Sequence, residues 1–210
     1  MIQHVNVILA SGSPRRKELL TRAGITFKII KSDVDEVTTE TDPAKVVAEL
    51  SIQKARAVRE MISSDSYIDA TFSGGSIIVA ADTVVAIDNK ILGKPEDEED
   101  AFRILMSLSG KGHKVFTGVS VLHIPAGVEA KAEEFNFVDE TTVNMFPFTE
   151  DEARNYIKTG EPMDKAGAYG IQGTGGLFVS GIDGNYDNVV GFPLSRFVRE
   201  CCERGYFTLY

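Results

Sequence analysis

Several charged side chains stand where a fold has no use for charge, and their chemistry suggests a common ligand. In "LASGSPRRKELL" an apolar run breaks at Ser11-Gly12-Ser13-Pro14, and Arg15 and Arg16 follow at once. They fall in the first turn of a predicted helix, where the dipole makes cations unfavourable. A bound phosphate reverses that sign, because turn amides, dipole and guanidinium forks then all point at an anion. Lys54 interrupts the apolar stripe Val47, Leu50, Val58 and Met61 of a second predicted helix. It either snorkels to the helix edge or delivers a cation into a cleft. In the second case Lys54→Met is expected to stabilise the empty protein while removing activity.

Asp82 sits at the centre of the apolar run "IIVAADTVVAI". A bare carboxylate in a buried sheet is costly. It is either a turn aspartate capping backbone amides or a base or metal ligand where a strand opens onto a cleft. Lys94 is presented between Gly93 and Pro95, from a constrained loop or from an ordinary hairpin end. "SDVDEV" supplies Asp33, Asp35 and Glu36. Such a run is a solvated loop or the oxygen-rich grouping that Mg²⁺ or Mn²⁺ prefers beside a phosphate.

"DKAGAYGIQGTGG", residues 164–176, is too rich in glycine for continuous strand or helix. Its backbone can approach a ligand closely, with Tyr169 for stacking and Gln172 for amide hydrogen bonds. His4, His113 and His123 lack zinc-ligand spacing and read as structural. "LSGKGHKV" lacks the P-loop pattern. Cys201 and Cys202 are adjacent, which disfavours a bridge and implies free thiols in a reducing, cytoplasmic compartment.

The elements that must position these groups follow from periodicity. A strand over 5–10 leads into a helix with Ser13 as cap, Pro14 at its first position and Gly24 past its end. A strand over 27–31, a helix from Asp42-Pro43 to about Met61 and a loop over 62–76 follow. Residues 77–92 read as two strands interrupted or bulged around Asp82-Thr83, with a turn at Asp88-Asn89. Next come a helix over 97–109, an antiparallel pair over 113–124 and 132–146, and a helix capped by Thr149 and Glu152. A strand near 177–182 and a helix after Pro193 close the chain. Strands alternating with helices around a central hairpin predict an α/β fold with a mixed, strongly curved sheet. Helical lobes on either side would leave a cleft between them.

The chain of 210 residues is 43% hydrophobic and 25% charged, with a formal net charge of −9. That balance disfavours duplex nucleic acid, which is held by many cation–phosphate contacts, and no polybasic patch suggests a membrane. Basic groups that bind an anion must therefore converge locally, against the overall field.

Taken together, "LASGSPRRKELL", "DVDE", "QKARAV", "ADTVV", "LGKP", "LSGKGHKVFTGV", "DKAGAYGIQG" and "NVVGFP" resemble the Maf-like nucleoside triphosphate pyrophosphatases, in order and over nearly the whole chain. "SGSPRR" with "AYGIQG" is most similar to the branch acting on dTTP and UTP. The resemblance implies one domain over residues 1–210 with a Maf/ITPase-like fold. It also implies hydrolysis of a nucleoside triphosphate to monophosphate and pyrophosphate with a divalent cation, Mg²⁺ or Mn²⁺. On the matching positions, Asp82 is similar to the family's proton acceptor, Glu36 to its acidic-loop carboxylate, and Lys54 and Lys94 to its two catalytic lysines. Arg15, Thr83 and Gln172 match positions linked to base or substrate selection, and Ser11 and Arg16 fall in the phosphate-side loop. Glu36 and Asp82 would hold the metal. Extra length at 62–76 and 123–134 lies outside these motifs.

Two other readings stay open on the sequence: a regulatory nucleotide-binding module of cell division and a sugar-phosphate nucleotidyltransferase. So do a homodimer and modified pyrimidine nucleotides as substrates.

Overall fold

A computed structural model describes residues 1–64, 75–125 and 133–210 of the chain. Most of the loop expected over 62–76, and the linker between the central hairpin strands, lie outside those residues. In chain order the elements are β1 (Ile2–Gln3), β2 (Asn6–Leu9), α1 (Pro14–Arg22), β3 (Phe27–Ile29), α2 (Pro43–Ser64), β4 (Ser76–Ile87) and β5 (Lys90–Leu92). Then come α3 (Glu98–Leu108), β6 (Gly112–Ile124), β7 (Glu134–Met145), α4 (Glu150–Ile157), three short 3₁₀ turns over 161–178, β8 (Val179–Asp183), α5 (Tyr186–Val190), α6 (Leu194–Glu203) and β9 (Phe207–Thr208). The main sheet is mixed, in the order β3-β2-β4-β6-β7-β8, with β5 also paired to β4; β1 and β9 form a separate ribbon.

Local chemistry explains the element ends. Asp42 caps α2 by accepting from the Ala44 and Lys45 amides at 2.9 and 3.1 Å. Thr149 and Glu152 form the expected capping box on α4. Asp88 and Asn89 both take positive φ (49° and 61°), the tight-turn conformation that joins β4 to β5. Ser13 stands at the cap position of α1, but its side chain makes no capping bond. The Ser11 hydroxyl accepts from the Ser13 amide instead, at 3.2 Å.

One expectation fails. Residues 76–87 form a single strand in continuous register with β6, neither interrupted nor bulged at Asp82-Thr83. The reason is the sheet order. β2 covers β4 only as far as Val79, and β5 begins only at Val85. Over Ala80–Val84 the strand pairs with β6 alone, so one edge is open and polar side chains there need not be buried. The five-residue helix α5 was not anticipated either; Asn185 caps it through the Asp187 amide at 2.8 Å.

Alternation along the strands loads both faces of the sheet. At one end, Val7, Leu9, Ile77, Val79 and Val121 pack on Leu19 and Leu20 of α1 and Phe197 and Cys201 of α6. On the opposite face Ile8, Ile78 and Leu122 pack on Ala55, Val58 and Ile62 of α2. At the other end Val85, Val115 and Val143 pack on Leu105 of α3 and Tyr156 of α4. β4 and β6 run through both ends, and the open edge lies between them.

The seat of α2 depends on one glycine. A Cβ on Gly118 would lie 2.3 Å from the Val47 carbonyl oxygen, so the helix backbone rests directly on the strand. Ser51 and Ser120 lock the next turn with a buried 2.8 Å hydrogen bond. Lys54 is seven residues beyond Val47, on the same helix face, and Asp82 is the cross-strand partner of Gly118. Gly118→Ala is therefore expected to push α2 outward and cost about 1–3 kcal/mol. Thermal unfolding reads this as a drop of about 2–4 °C per kcal/mol; an unchanged melting temperature would show that α2 has slack.

Candidate functional site

Between the two ends of the sheet lies a cleft of about 720 Å³. Arg15, Arg16, Glu36, Lys54, Asp82, Thr83, Lys94 and Gln172 all line it, although they come from six separate stretches of chain. Ser11 is not on the wall. It is buried behind it, where its hydroxyl oxygen accepts from Arg16 Nη1 at 3.2 Å.

The carboxylates are organised by Lys54. Its ammonium donates to Asp82 Oδ1 at 2.7 Å and reaches Glu36 Oε2 at 2.9 Å. Lys54 is therefore neither snorkelling nor unpaired: a helix cation joins a strand carboxylate to one from the irregular acidic loop. The loop's other acids, Asp33 and Asp35, are exposed and do not line the cleft. The second oxygens of Asp82 and Glu36 have no protein partner among the described residues.

Arg16 is held differently. Its guanidinium donates to the Gly191 carbonyl (2.9 Å), to Ser11 Oγ and to Thr83 Oγ1 (3.1 Å). Every partner is neutral. Burial lowers its pKa from the usual arginine value; Asp82 opposes the shift, Arg15 adds to it, and Glu36 opposes it. Thr83 and Asp82 are consecutive and project to opposite faces of β4, so the open edge lets one strand serve both cations. Beneath them Thr83 shares a 3.0 Å hydrogen bond with Thr117, whose hydroxyl donates to the Asn188 carbonyl. The Asn188 amide in turn donates to Val115 O and Thr141 Oγ1. This is how the unanticipated α5 is fixed under Gly191.

Arg15 and Lys94 make no hydrogen bond or ion pair among the described residues, and Lys94 is exposed on the turn after β5. Three cleft cations thus lack a carboxylate within salt-bridge distance.

The far wall is the glycine-rich segment. Tyr169 is buried beneath it, its hydroxyl 2.8 Å from His113 Nε2. Burial pushes the His113 pKa down to about 4, which keeps the ring neutral. His113 thus belongs to the core, as its spacing suggested, and His123 stacks on Tyr206. Gln172 is exposed at the cleft and has no protein partner among the described residues. Two further lining residues, Glu161 and Lys165, were missed by sequence reading. They stand in the loop after α4 and carry no periodicity; the clustering of glycines around Gln172 was the available signal that side chains press on that backbone.

Residues 6–203 match the family described as Maf-like protein. The chain is 45% identical over 201 residues to a dTTP/UTP pyrophosphatase of Agathobacter rectalis, covering 95% of this chain and 97% of that one. It is 45% identical over 202 residues to a dTTP/UTP pyrophosphatase of Carboxydothermus hydrogenoformans, covering 96% and 100%. Among solved structures, a HAM1 protein from Coxiella burnetii aligns with a TM-score of 0.45 at 14% identity, over 95% of this chain and 99% of that chain.

The pairing of Lys54 revises the stability expected of its replacement. Lys54→Met leaves two carboxylates facing each other without their cation, so it is expected to destabilise the empty protein by about 1–2 kcal/mol, less than for a fully buried pair. Lys54→Met with Asp82→Asn should recover most of that loss. Melting temperatures of the two variants decide it, and a stabilised single variant would show that the ion pair contributes nothing.

Proposed function

The chain belongs to the Maf-like family, and on that premise we propose that it hydrolyses UTP and dTTP to the nucleoside monophosphate and pyrophosphate. The observation that carries this reading is the set of unneutralised cations, Arg15, Arg16 and Lys94, converging on one cleft of a chain whose net charge is −9. A triphosphate supplies the missing negative charge and Arg forks suit its oxygens.

The residues divide the work by position. Arg15, Arg16 and Lys94 hold the phosphates, and Ser11 and Thr83 fix the Arg16 fork from behind. Asp82, through the oxygen not engaged by Lys54, takes the proton of a water as its oxygen bonds to the α-phosphorus. The bond from that phosphorus to the bridging oxygen breaks, and pyrophosphate leaves. Lys54 holds Asp82 and Glu36 in register and offsets charge that develops at the α-phosphate.

A divalent cation fits this donor set. The free oxygen of Glu36 is a hard ligand of the kind Mg²⁺ and Mn²⁺ take, while that of Asp82, kept for the proton, would share the ion only through a water. Among the described residues no cluster of three His, Cys, Asp or Glu could hold a metal unaided, so phosphate and water oxygens would complete the shell. When bound, the ion supplies electrophilic stabilisation of the phosphate oxygens. Two free cysteines, Cys201 and Cys202, support a reducing cytoplasmic setting. Among the described residues no helix is long and apolar enough to cross a membrane.

Base choice follows from hydrogen-bond polarity. Uracil and thymine offer an O4 acceptor beside an N3–H donor, whereas cytosine puts an amino donor at that position. The Gln172 amide can donate to O4 and accept from N3–H. With Mg²⁺ or Mn²⁺, UTP and dTTP should be cleaved far better than ATP or GTP, with CTP intermediate or poor. Products resolved by chromatography should be monophosphate and pyrophosphate. Diphosphate plus phosphate, or a purine preference, would overturn the reading. Gln172→Ala should lower the UTP-over-CTP preference by about tenfold or more, since each hydrogen bond to the base is worth about 1 kcal/mol; equal loss on every nucleotide would move Gln172 from base to phosphate.

A further inference from the structure

Glu161 lines the cleft, yet both of its oxygens are already engaged by the protein. Its Oε2 accepts from the Thr174 amide at 2.9 Å. Its Oε1 accepts from the Gly175 amide at 3.2 Å and from the Tyr156 hydroxyl at 2.9 Å. That same Tyr156 oxygen accepts from the Gly170 amide at 3.2 Å. One carboxylate therefore fastens both ends of the segment 170–175, directly at its C-terminal side and through Tyr156 at its N-terminal side. The segment folds back through a Gly173 amide to Gly170 carbonyl bond of 3.2 Å, and Gln172 stands at the tip of that turn.

Packing confirms how closely the turn lies on its support. A Cβ on Gly173 would fall 2.3 Å from Glu161 Oε1, one on Gly170 2.7 Å from Lys165 Cε, and one on Gly175 2.5 Å from the Tyr156 oxygen. Lys165 braces Glu161 in turn, its ammonium donating to the Glu161 carbonyl oxygen at 2.6 Å. The glycines are thus the space through which Glu161, Lys165 and Tyr156 grip the backbone. Burial works to raise the Glu161 pKa, but the two amides and the Tyr156 hydroxyl outweigh it and hold the carboxyl below its ordinary value.

We infer that Glu161 is a specificity-determining positioning residue: it fixes the backbone of residues 170–175 so that the Gln172 amide meets the edge of a keto-pyrimidine base. The inference rests on the base-reading role of Gln172 given above. A carboxylate suits this task because it only accepts, and every group it meets is a donor. Glutamine at this position must turn an NH₂ toward an N–H or O–H donor, so one anchor is lost while size and fold are kept.

The test compares kcat and KM for UTP and CTP in Glu161→Gln, Tyr156→Phe, Gln172→Ala and the Glu161→Gln/Gln172→Ala pair, with inhibition by pyrophosphate as the phosphate-side control. Glu161→Gln should cut the UTP-over-CTP ratio of kcat/KM by about tenfold, carried by KM for UTP, with kcat within about threefold of the parent. Pyrophosphate inhibition should not move. Tyr156→Phe should shift the ratio in the same direction by less. In the double variant the ratio should fall no further than in Gln172→Ala alone, since both changes remove one reading device. An unchanged ratio in Glu161→Gln and Tyr156→Phe, or equal losses on UTP, CTP and pyrophosphate, would overturn the inference. If Gln172→Ala itself leaves the ratio intact while UTP is still hydrolysed, the base-reading assignment fails, and this inference falls with it.

Discussion

Everything in the cleft depends on a stretch of one strand that has a neighbour on one side only. Over Ala80–Val84, β4 has passed the end of β2 and not yet met β5. A strand covered on both edges and both faces could not carry Asp82 and Thr83 at its centre without large desolvation costs. Here the open edge gives both side chains a common solvent-filled space, although they project to opposite faces. β6 holds the strand straight from the other side, so the two residues are presented by a rigid element and not by a loop. The same arrangement places the cleft beyond the carboxyl end of β2, where the chain turns into α1. That is where open α/β sheets collect ligands.

Two kinds of cation meet at this edge, and they differ in what neutralises them. Lys54 arrives on α2, which lies against the bare backbone of Gly118, and is already neutralised by Asp82 and Glu36. It organises the carboxylates. Arg16 arrives on α1 and is held by carbonyl and hydroxyl oxygens that orient it without cancelling its charge. Among the described residues Arg15 and Lys94 lack even that. One side of the cleft therefore keeps positive charge that the protein does not neutralise, beside a balanced, pre-set group. An overall negative charge makes this local inversion a selective one, since a general polyanion is repelled elsewhere on the surface.

Much of this was legible in the sequence. The charges that broke apolar patterns, Lys54 and Asp82, were the ones the fold brings together, because a buried charge signals itself by violating the periodicity around it. Caps and turns at Asp42, Thr149 and Asp88-Asn89 were legible for the same local reason. What escaped was non-local. An interruption at Asp82-Thr83 was expected because a polar pair in an apolar run usually ends a strand; only the sheet order shows that the strand continues past its neighbour. Ser11 could not be told from a wall residue, because its place behind Arg16 depends on the guanidinium folding back over it. Glu161 was silent because a lone acid after a helix is ordinary, and its partners are backbone amides thirteen and fourteen residues away.

Of the roles proposed for the cleft residues, that of Asp82, taking the proton of the attacking water, is the most exposed to test. Asp82→Asn keeps the shape and an oxygen acceptor for Lys54 but loses the charge and the basicity. The decisive measurement is UTP turnover by that variant, alongside its melting temperature and its affinity for UTP. The expected result is a folded protein that still binds UTP and turns it over about a thousandfold more slowly, within the range for loss of a general base. A folded Asp82→Asn protein with turnover near that of the parent would contradict it.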